Sequence, residues 1–295
     1  MKLSILIPTY NYDPSRLVRQ LLLQLPEDSE IIVGDDCSLT PTLSKGEGER
    51  VRLFRSECNL GRAGIRNALA REAKGDWLLF IDADAEVRSN AFIQRYMDVA
   101  YTTDANVTNV MPAFQVICGG TGNLPQCPRP EARLRYDYEV KAEKRLTLEH
   151  RRKHPYAGFT TFNFLIRRDL FLSIGFDETL KQYGHEDTLF GLELKKRGIP
   201  ILHIDNKLTH LGLEDADVYL KKTETALRTL ASMSLEQRQN VRVSAFALSL
   251  RHSYLFGFVR LLFKMTKPLL RSNLLGKHPC QFLFTFYKLG FYTYC

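Results

Sequence analysis

Residues 75–84 read Gly-Asp-Trp-Leu-Leu-Phe-Ile-Asp-Ala-Asp, an apolar run that ends in two carboxylates. The run from Trp77 to Ile81 has the length and composition of a buried strand. Asp82 and Asp84 follow it, and where a strand breaks into a turn two such carboxylates can converge in front of its C-terminal end. Open α/β sheets bind their ligands at that edge. The stretch therefore predicts an α/β fold with a ligand site beside Asp82 and Asp84.

A divalent cation suits two carboxylates that have no softer group nearby. Mg²⁺ and Mn²⁺ prefer oxygen ligands, whereas zinc and copper favour nitrogen and sulfur. Such an ion would serve to hold a diphosphate group. An isolated Asp-x-Asp is also typical of solvated turns, because aspartate is frequent in loops. The other motifs of the chain favour the metal-site interpretation.

Size and composition indicate a folded protein. The 295 residues suffice for one large α/β domain with an appendage, or for two modest domains. Hydrophobic residues make up 44% and charged residues 25%, which argues against global disorder. The net charge of +8 predicts a polyanionic partner: nucleic acid, an anionic membrane surface or a phosphorylated substrate.

Cysteine usage and apolar runs indicate the compartment. The six cysteines form no C-x-x-C pair, which argues against a structural zinc site and a disulfide scaffold and favours a reducing environment. The apolar run Leu3–Ile7 is too short for a signal peptide and predicts a first strand. No stretch approaches the roughly 18 apolar residues of a membrane-spanning helix. We therefore expect a cytoplasmic protein, soluble or peripheral on the membrane.

Strand and helix patterns alternate through the first part of the chain. Strands are predicted at 3–7, 30–33 and 51–54, and helices at 17–25 and 61–73. This order predicts a mostly parallel sheet with helices on both faces. Asp35 and Asp36 follow the second strand, so they would share the edge with Asp82 and Asp84.

The second half is less regular before the pattern resumes. Residues 106–117 read as a strand, 119–130 as a Gly- and Pro-rich loop, and 131–153 as a densely charged helix or mobile segment. Strand and helix patterns return between residues 161 and 204. Beyond about Glu214 the composition is helical nearly to the end.

One segment of the C-terminal region carries an apolar stripe beside a basic one. The apolar residues recur at spacings of three and four: Phe246, Leu250, Tyr254, Phe258, Leu261 and Met265. The adjacent stripe includes Arg260, Lys264, Lys267 and Arg271. Such a helix can lie on an anionic bilayer. It can equally pack on its own core with a solvated basic side, and the pattern leaves both interpretations open.

Four segments of the first half resemble family 2 glycosyltransferases of the GT-A fold in order and spacing. They are residues 5–11, 31–38, 59–67 and 80–84. Gly175-Phe176-Asp177-Glu178 and Gly184-His185-Glu186-Asp187 resemble two further segments of that family. Gly34 and Cys37 depart from it, because the family commonly has an apolar residue and a glycine there.

The resemblance implies a GT-A, Rossmann-like α/β fold: a mostly parallel sheet with flanking helices, plus a helical C-terminal extension. It covers roughly residues 1–212. We therefore predict a glycosyltransferase domain over residues 1–214 and a helical extension over 215–295 whose stripe pattern allows association with a membrane.

The resemblance also implies roles for individual residues. Asp187 would be the catalytic base, with Glu186 as the nearest competitor. Asp84, Asp82 and His210 would hold Mn²⁺ or Mg²⁺. The nucleotide-sugar donor would bind at Pro8, Thr9, Tyr10, Asp35, Asp36, Arg62, Arg66, Asp82 and Ala83. Arg62 and Arg66 lie four residues apart on a predicted helix, so they share a face that could meet the phosphates.

The predicted function is an inverting, metal-dependent transfer of a sugar, with a UDP-sugar favoured as donor. The acceptor would be a hydroxyl of a glycan or lipid-linked sugar in cell-surface glycan assembly. A nucleotidyltransferase of similar fold is an alternative, but it would carry a Gly-rich phosphate loop where this chain has residues 8–13 without glycine. A basic nucleic-acid-binding protein fits less well, because no nucleic-acid module is recognisable and acids line the strand ends. We therefore predict no nucleic-acid partner.

Overall fold

The computed structural model describes residues 2–39, 49–105, 114–180 and 182–295. Its contacts divide the chain into two compact units. The first consists of Met1–Asn123, Arg145–Thr179 and Glu186–Gly212. The second consists of Leu124–Lys144, Leu180–His185 and Leu213–Cys295. The segments Leu124–Lys144 and Leu180–His185 thus belong to the second unit, whereas the sequence-based prediction places them in the domain 1–214.

Ten strands form two sheets in the described residues. The strands are β1 (Leu3–Thr9), β2 (Glu30–Asp35), β3 (Val51–Arg55), β4 (Trp77–Ile81), β5 (Ala85–Glu86), β6 (Val116–Cys118), β7 (Thr121–Gly122), β8 (Asn163–Arg167), β9 (Ile201–His203) and β10 (Leu208–His210). The large sheet has the order β3-β2-β1-β4-β8-β6-β9 and the small one β5-β10-β7. In the large sheet only β8 runs antiparallel to its neighbours. The predicted mostly parallel sheet is confirmed.

Helices surround the large sheet and make up most of the second unit. They are α1 (Ser15–Leu22), α2 (Gly61–Glu72), α3 (Phe92–Ala105), α4 (Arg133–Arg145), α5 (Leu148–Lys153), α6 (Arg168–Ile174), α7 (Glu186–Lys196), α8 (Ala216–Ser232), α9 (Leu235–Gln239), α10 (Arg242–Leu250), α11 (Tyr254–Leu274) and α12 (Gln281–Tyr292). A 3₁₀ turn, Pro130–Ala132, precedes α4. The predicted helical C-terminal region is confirmed. None of the described helices combines the length and apolar composition that crossing a membrane requires.

The core of the first unit lies on both faces of the large sheet. Trp77, Leu79 and Ile81 of β4 pack into one buried cluster, whereas Leu78 and Phe80 pack into another. Successive strand residues point to opposite faces, so a strand covered on both sides is apolar throughout. This explains why the stretch that ends at Asp82 is uninterrupted in its hydrophobicity.

Two predicted segments differ from the structure. Only the end of the predicted strand 106–117 is observed as one, in β6, and residues 106–113 lie outside the described part. The charged segment 131–153 forms two helices, α4 and α5. The hydroxyl of Thr147 accepts the N–H of His150 at 3.2 Å and caps α5, which starts a second helix there.

Partly buried charge pairs join the segment around α4 to the rest of the second unit. Arg135 forms ion pairs with Glu139 (2.6 Å) and Glu214. Its guanidinium also lies over the ring of Tyr219, 5.0 Å from the centroid. These contacts connect α4 to the chain that enters α8, and no local sequence signal announces them.

Gly34 in β2 allows α2 to approach the sheet closely. A Cβ at this position would lie 2.7–2.9 Å from the side-chain carbons of Leu69, which is fully buried in α2. Real Cβ atoms essentially never come so close to another carbon. Gly34, where an apolar residue is expected, therefore leaves room for the large side chain of Leu69 on the facing helix.

Candidate active site

The C-terminal ends of β1, β2 and β4 meet at one edge of the large sheet. β1 pairs in parallel with both neighbours, and Thr9 at its end is in register with Asp35 of β2. Asp82 follows β4 directly, and its N–H donates to the carbonyl of Phe162 at 3.1 Å. The acids at these strand ends therefore share one edge, as parallel topology requires.

Asp84 lies beside His210 through the small sheet. β5 and β10 are antiparallel, and their register places Ala85 opposite His210. The N–H of Leu211 donates to the carbonyl of Asp84 at 2.8 Å, and the Nε2 of His210 lies 3.2 Å from the Oδ2 of Asp84. The structure thus brings together two of the three predicted metal ligands, although 126 residues separate them.

Gly212 leaves the space that the Asp84 carboxylate occupies. A Cβ on this glycine would overlap the Oδ2 of Asp84 and lie 2.7 Å from its Cγ. A carboxylate and an imidazole that share such a cradle form a donor set for a divalent ion. Among the described residues, no group of three His, Cys, Asp or Glu side chains that could hold a metal occurs. The remaining ligands of an ion would come from a bound diphosphate or from water.

Asp82 faces two arginines of α2. Its Oδ1 accepts from Nη2 of Arg66, and its Oδ2 lies 3.5 Å from Nη2 of Arg62. The side chain of Arg66 is 3% exposed, and its Nε has no hydrogen-bond partner among the described residues. The spacing of four places both arginines on one face of α2, as the sequence predicts. The structure directs that face towards Asp82.

Arg62 connects the two acidic motifs. Its Nε donates to Glu186, the first residue of α7, while its Nη2 lies near Asp82. The residues that the sequence assigns to donor binding and to catalysis are therefore joined by one guanidinium.

The two candidate bases lie in opposite electrostatic environments. Burial, together with the neighbouring Glu186 carboxylate, raises the pKa of Asp187 to about 6. Burial alone would raise the pKa of Glu186, but Arg62 and Arg66 offset this and hold it below its usual range. The Oδ1 of Asp187 also accepts the N–H of Thr188 at 2.7 Å, which fixes the carboxylate at the start of α7. Of the two carboxylates, Asp187 therefore has the raised pKa and is the stronger base, although the charge of Arg62 partly offsets the shift.

Asp35 and Asp36 are both buried and hold the loops around them. The Oδ1 of Asp35 accepts the N–H of Ser38 at 2.9 Å, and its Oδ2 lies 3.7 Å from Arg55. Asp36 accepts the N–H groups of Leu60 and Gly61 at 2.7 and 3.0 Å. Burial raises the pKa of Asp36 despite these two donors. Asp36 thus stabilises the N-terminus of α2, a role that the sequence does not reveal.

We expect Asp36→Ala to destabilise the fold by about 1–2 kcal/mol, because the two N–H groups at the start of α2 lose their acceptor. Urea unfolding measures the change. The exposed Asp28→Ala is the matched control and should leave stability within ~0.5 kcal/mol of the parent. An equal effect of both substitutions would refute the capping role of Asp36.

The four other predicted donor-binding residues lie at the end of β1 and in the loops after β1 and β4. Thr9 is buried, and its hydroxyl donates to the carbonyl of Tyr12 at 2.7 Å, whereas Tyr10 is 53% exposed. Pro8 is partly buried within β1, and Ala83 is buried between the two aspartates of the motif. Of these side chains, Tyr10 is therefore the most accessible to a ligand.

Two residues without a predicted role support the site. Burial, and next the charge of the Asp84 carboxylate, raise the pKa of Tyr12. Asn67 of α2 accepts from the N–H of Phe176 at 2.8 Å and donates to its carbonyl at 2.9 Å and to Glu178 at 2.8 Å. Asn67 thus fastens the segment 175–178 to α2. The only sequence signal for this role is that Asn67 ends the segment 59–67, which resembles a motif of the family.

Residues 4–175 match the family model described as Glycosyl transferase family 2. An uncharacterised glycosyltransferase of Haemophilus influenzae is 40% identical over 85 residues, which are 28% of this chain and 29% of that protein. Poly(ribitol-phosphate) beta-N-acetylglucosaminyltransferase TarS of Staphylococcus aureus is 34% identical over 95 residues, 28% of this chain and 16% of that protein. The chain thus spans less than a third of the length of either relative.

Solved structures show the same fold at low sequence identity. TarS residues 1–349 in complex with UDP superimposes with a TM-score of 0.53 at 19% identity, covering 94% of this chain and 80% of that one. The mannosyltransferase PcManGT of Pyrobaculum calidifontis, in complex with GDP-Man and Mn²⁺, gives a TM-score of 0.55 at 14% identity, covering 99% and 84%. The fold is the GT-A fold.

Proposed function

The chain belongs to glycosyl transferase family 2, and we propose that it transfers a sugar with inversion from a UDP-sugar to an acceptor hydroxyl with the help of a divalent metal. The contacts of Arg62 carry this proposal. One guanidinium binds Glu186, next to the candidate base, and faces Asp82 of the candidate donor site. Sugar transfer needs a diphosphate site and a base close together, and the contacts of Arg62 support such an arrangement of the two candidate groups.

Asp187 would remove the proton of the acceptor hydroxyl as its oxygen attacks the anomeric carbon. Inversion requires the attack to come from the side opposite the leaving diphosphate, and a positioned carboxylate is a suitable base. With a pKa raised to about 6 by burial, Asp187 is mostly ionised at neutral pH and is a stronger base than an ordinary aspartate. Thr188 holds the carboxylate in one orientation through its N–H.

Asp84 and His210 would hold the metal, and Mn²⁺ fits a donor set of one carboxylate and one imidazole. When bound, the ion neutralises the charge that develops on the diphosphate. Arg62 and Arg66 would orient Asp82 and add positive charge beside the phosphates. Asp82 itself is engaged by these arginines, so we assign it to donor binding ahead of direct metal ligation.

UDP is the favoured nucleotide, because a solved relative of this fold binds it, although another binds GDP-Man. A glycan or a lipid-linked sugar in cell-surface glycan assembly is the proposed acceptor, and the name of one relative, poly(ribitol-phosphate) beta-N-acetylglucosaminyltransferase, describes transfer to a polymer. The nucleotidyltransferase alternative is no longer favoured. The match to glycosyl transferase family 2 covers residues 4–175, which include most of the predicted donor-binding residues. All six cysteines are free, which fits a cytoplasmic location.

Thermal unfolding with added nucleotides tests the donor site. We expect UDP with Mn²⁺ to stabilise the protein, and GDP or CMP to do so less. A ligand that binds only the folded state at 100 times its Kd stabilises it by about 2.7 kcal/mol. Asp84→Asn and His210→Gln should each reduce the part of the shift that depends on Mn²⁺.

Asp98→Asn is the matched control, because Asp98 is an exposed acid of α3 and contacts Gln94. It should respond to UDP and Mn²⁺ as the parent does. The donor-site assignment fails if no nucleotide shifts the midpoint with any metal. A shift that Asp84→Asn leaves intact would show that the metal lies elsewhere.

A further inference from the structure

Helix α11 has two apolar faces. Phe263, Leu270 and Leu274 are buried and pack within the second unit. The opposite face is exposed, with side chains 57–101% accessible: Tyr254, Leu255, Phe258, Leu261, Met265 and Leu269. Spacings of three and four keep these six on one side of the helix. A contiguous apolar surface of this kind on a soluble domain marks an interaction site.

This exposure decides between the two interpretations of the C-terminal pattern. The apolar stripe that the sequence defines includes Phe246, Tyr254, Phe258, Leu261 and Met265, and all five are more than half exposed. They therefore do not form a core with the described residues. The residues of α11 that do pack into a core are Phe263, Leu270 and Leu274, on the opposite side of the helix.

The charge of the chain is concentrated in the same region. After Glu236 the sequence contains nine Lys and Arg and no Asp or Glu. The whole net charge of +8 therefore arises there, and the preceding 236 residues carry −1. A second copy of this surface would be repelled by its like charge, whereas an anionic surface would be attracted.

A cationic cavity adjoins α11 within the second unit. It has a volume of about 400 Å³, and Arg238, Arg251 and Arg260 line it together with Tyr292. None of the three arginines forms an ion pair within the described part of the chain. Tyr292 is 7% exposed, and its hydroxyl and the Nε of Arg238 are buried without a partner there.

Buried polar atoms without partners are rare in folded proteins, and a bound anion or water is one explanation for them. Three guanidinium groups and a phenol are all hydrogen-bond donors towards an anion, and arginine suits the oxygens of a phosphate. Arg260 belongs to α11 itself, so the cavity adjoins the same helix as the exposed apolar face, on the side of the helix turned away from that face. Apolar contact and phosphate recognition together are the chemistry of a phospholipid.

We propose that the second unit docks on an anionic phospholipid bilayer, with the exposed face of α11 at the interface and a lipid phosphate in the arginine cavity. The inference builds on the proposed peripheral location and is independent of the transfer reaction. Amphipathic helices with basic flanks bind membranes in this way, through apolar burial and attraction to anionic lipids.

Co-sedimentation of the full chain with vesicles tests the docking. The chain should bind vesicles of phosphatidylcholine mixed with phosphatidylglycerol, bind phosphatidylcholine alone much more weakly, and lose affinity as salt is raised. Phe258→Asp with Met265→Asp should abolish binding. Leu23→Asp changes an exposed apolar residue of the first unit, directly after α1, and is the control that should bind as the parent does.

The cavity is tested with two charge-matched pairs of substitutions. Arg251→Gln with Arg260→Gln should lower the partition onto anionic vesicles by roughly tenfold or more. Arg242→Gln with Lys277→Gln removes the same charge from exposed positions that do not line the cavity, and should have a clearly smaller effect. Equal losses in the two pairs would overturn the cavity as a phosphate site.

Insertion has a separate optical readout. Trp77 is the one tryptophan of the chain and is buried in the first unit, so Phe258→Trp adds a reporter on α11. Lipids brominated in their acyl chains should quench this added emission, and Leu23→Trp should not be quenched.

Three results would overturn the proposal: no binding of the full chain to anionic vesicles, no quenching at position 258, or displacement by inorganic phosphate at a concentration equal to that of lipid phosphate. Binding to a single-stranded oligonucleotide that survives Phe258→Asp with Met265→Asp, in place of vesicle binding, would also overturn it. Loss of UDP binding in Asp84→Asn concerns the other unit, so a failure of the proposed reaction is distinguishable from a failure of docking.

Discussion

Replacement of Asp187 by asparagine should lower turnover by about 10²–10⁴-fold, the usual contribution of a general base. Donor binding should persist, because Asp187 contacts neither Asp84 nor His210 in the described hydrogen bonds and ion pairs. Asparagine keeps the acceptor for the N–H of Thr188, so the start of α7 stays intact. Turnover of the UDP-sugar and UDP-dependent thermal stabilisation, measured side by side, separate the two effects. The parent's product from an α-linked donor should be the β anomer.

The same substitution should stabilise the fold at neutral pH. The folded-state pKa of Asp187 is raised to about 6 from an ordinary value of 3.8, so ionisation opposes folding. This cost is absent below pH 3.8, grows as the pH rises, and is complete above about pH 6. A fully buried group would give about 3 kcal/mol, and solvent access to this partly buried one reduces the expected gain to about 1 kcal/mol. The unfolding midpoints of the variant and the parent should therefore diverge between pH 4 and pH 6.

Asp169→Asn is the control of opposite sign. A hydrogen bond from Arg167 lowers the pKa of Asp169, so its ionised form supports the fold and its removal should cost stability at neutral pH.

Glu186→Gln tests whether Glu186 is the base instead of Asp187. If Asp187→Asn retains turnover within about tenfold while Glu186→Gln abolishes it, the roles assigned to the two carboxylates are reversed.

Gly212→Ala should disable the metal site without unfolding the protein. The added Cβ would overlap the Asp84 carboxylate, which can turn away because it is the end of a short side chain. The fold therefore loses little, whereas the pairing of Asp84 with His210 is broken. We expect the affinity for Mn²⁺ in the presence of UDP to fall by roughly 10–100-fold, as when an outer partner of a metal ligand is lost.

Titration of Mn²⁺ by electron paramagnetic resonance measures this affinity without any turnover. Gly257→Ala is the control, because a Cβ there meets nothing within 4 Å. It should leave the affinity unchanged. An unchanged affinity in Gly212→Ala, with an unchanged unfolding midpoint, would exclude Asp84 as a ligand.

Local patterns predict the large sheet and the edge at which its acids gather. The apolar runs of β1, β2 and β4 are continuous because helices cover both faces, and each run ends next to an acid or a polar loop. Parallel topology then places those ends together whatever the rest of the chain does. These parts of the fold follow from residues that are near one another in the sequence, and they are confirmed.

The partners of the site residues are long-range and could not be predicted. Asp36 and the N–H of Leu60 are 24 residues apart, and Arg62 and Glu186 are 124 apart. Nothing near Asp36 in the sequence distinguishes an acid that caps a helix from one that binds a ribose. The same holds for Gly212. Only glycine fits there because a Cβ would overlap the carboxylate of Asp84, which is distant in the sequence.

The C-terminal stripe shows a different limit. Helical periodicity finds an apolar face but does not say whether the face is buried. In α11 two apolar sets lie on opposite sides, and only tertiary packing determines that Phe263 is inside and Phe258 outside. The proposed membrane contact depends on this distinction.

The close approach of Gly34 and Leu69 couples the sizes of the residues at these two positions. A branched residue at 34 fits only if residue 69 becomes smaller or if α2 lies further from the sheet. Because α2 also carries Arg62, Arg66 and Asn67, a shift of this helix would displace three side chains of the site at once. Relatives with valine at the position of Gly34 should therefore have exchanged leucine for a smaller residue at 69, so that Arg62 and Arg66 keep their places.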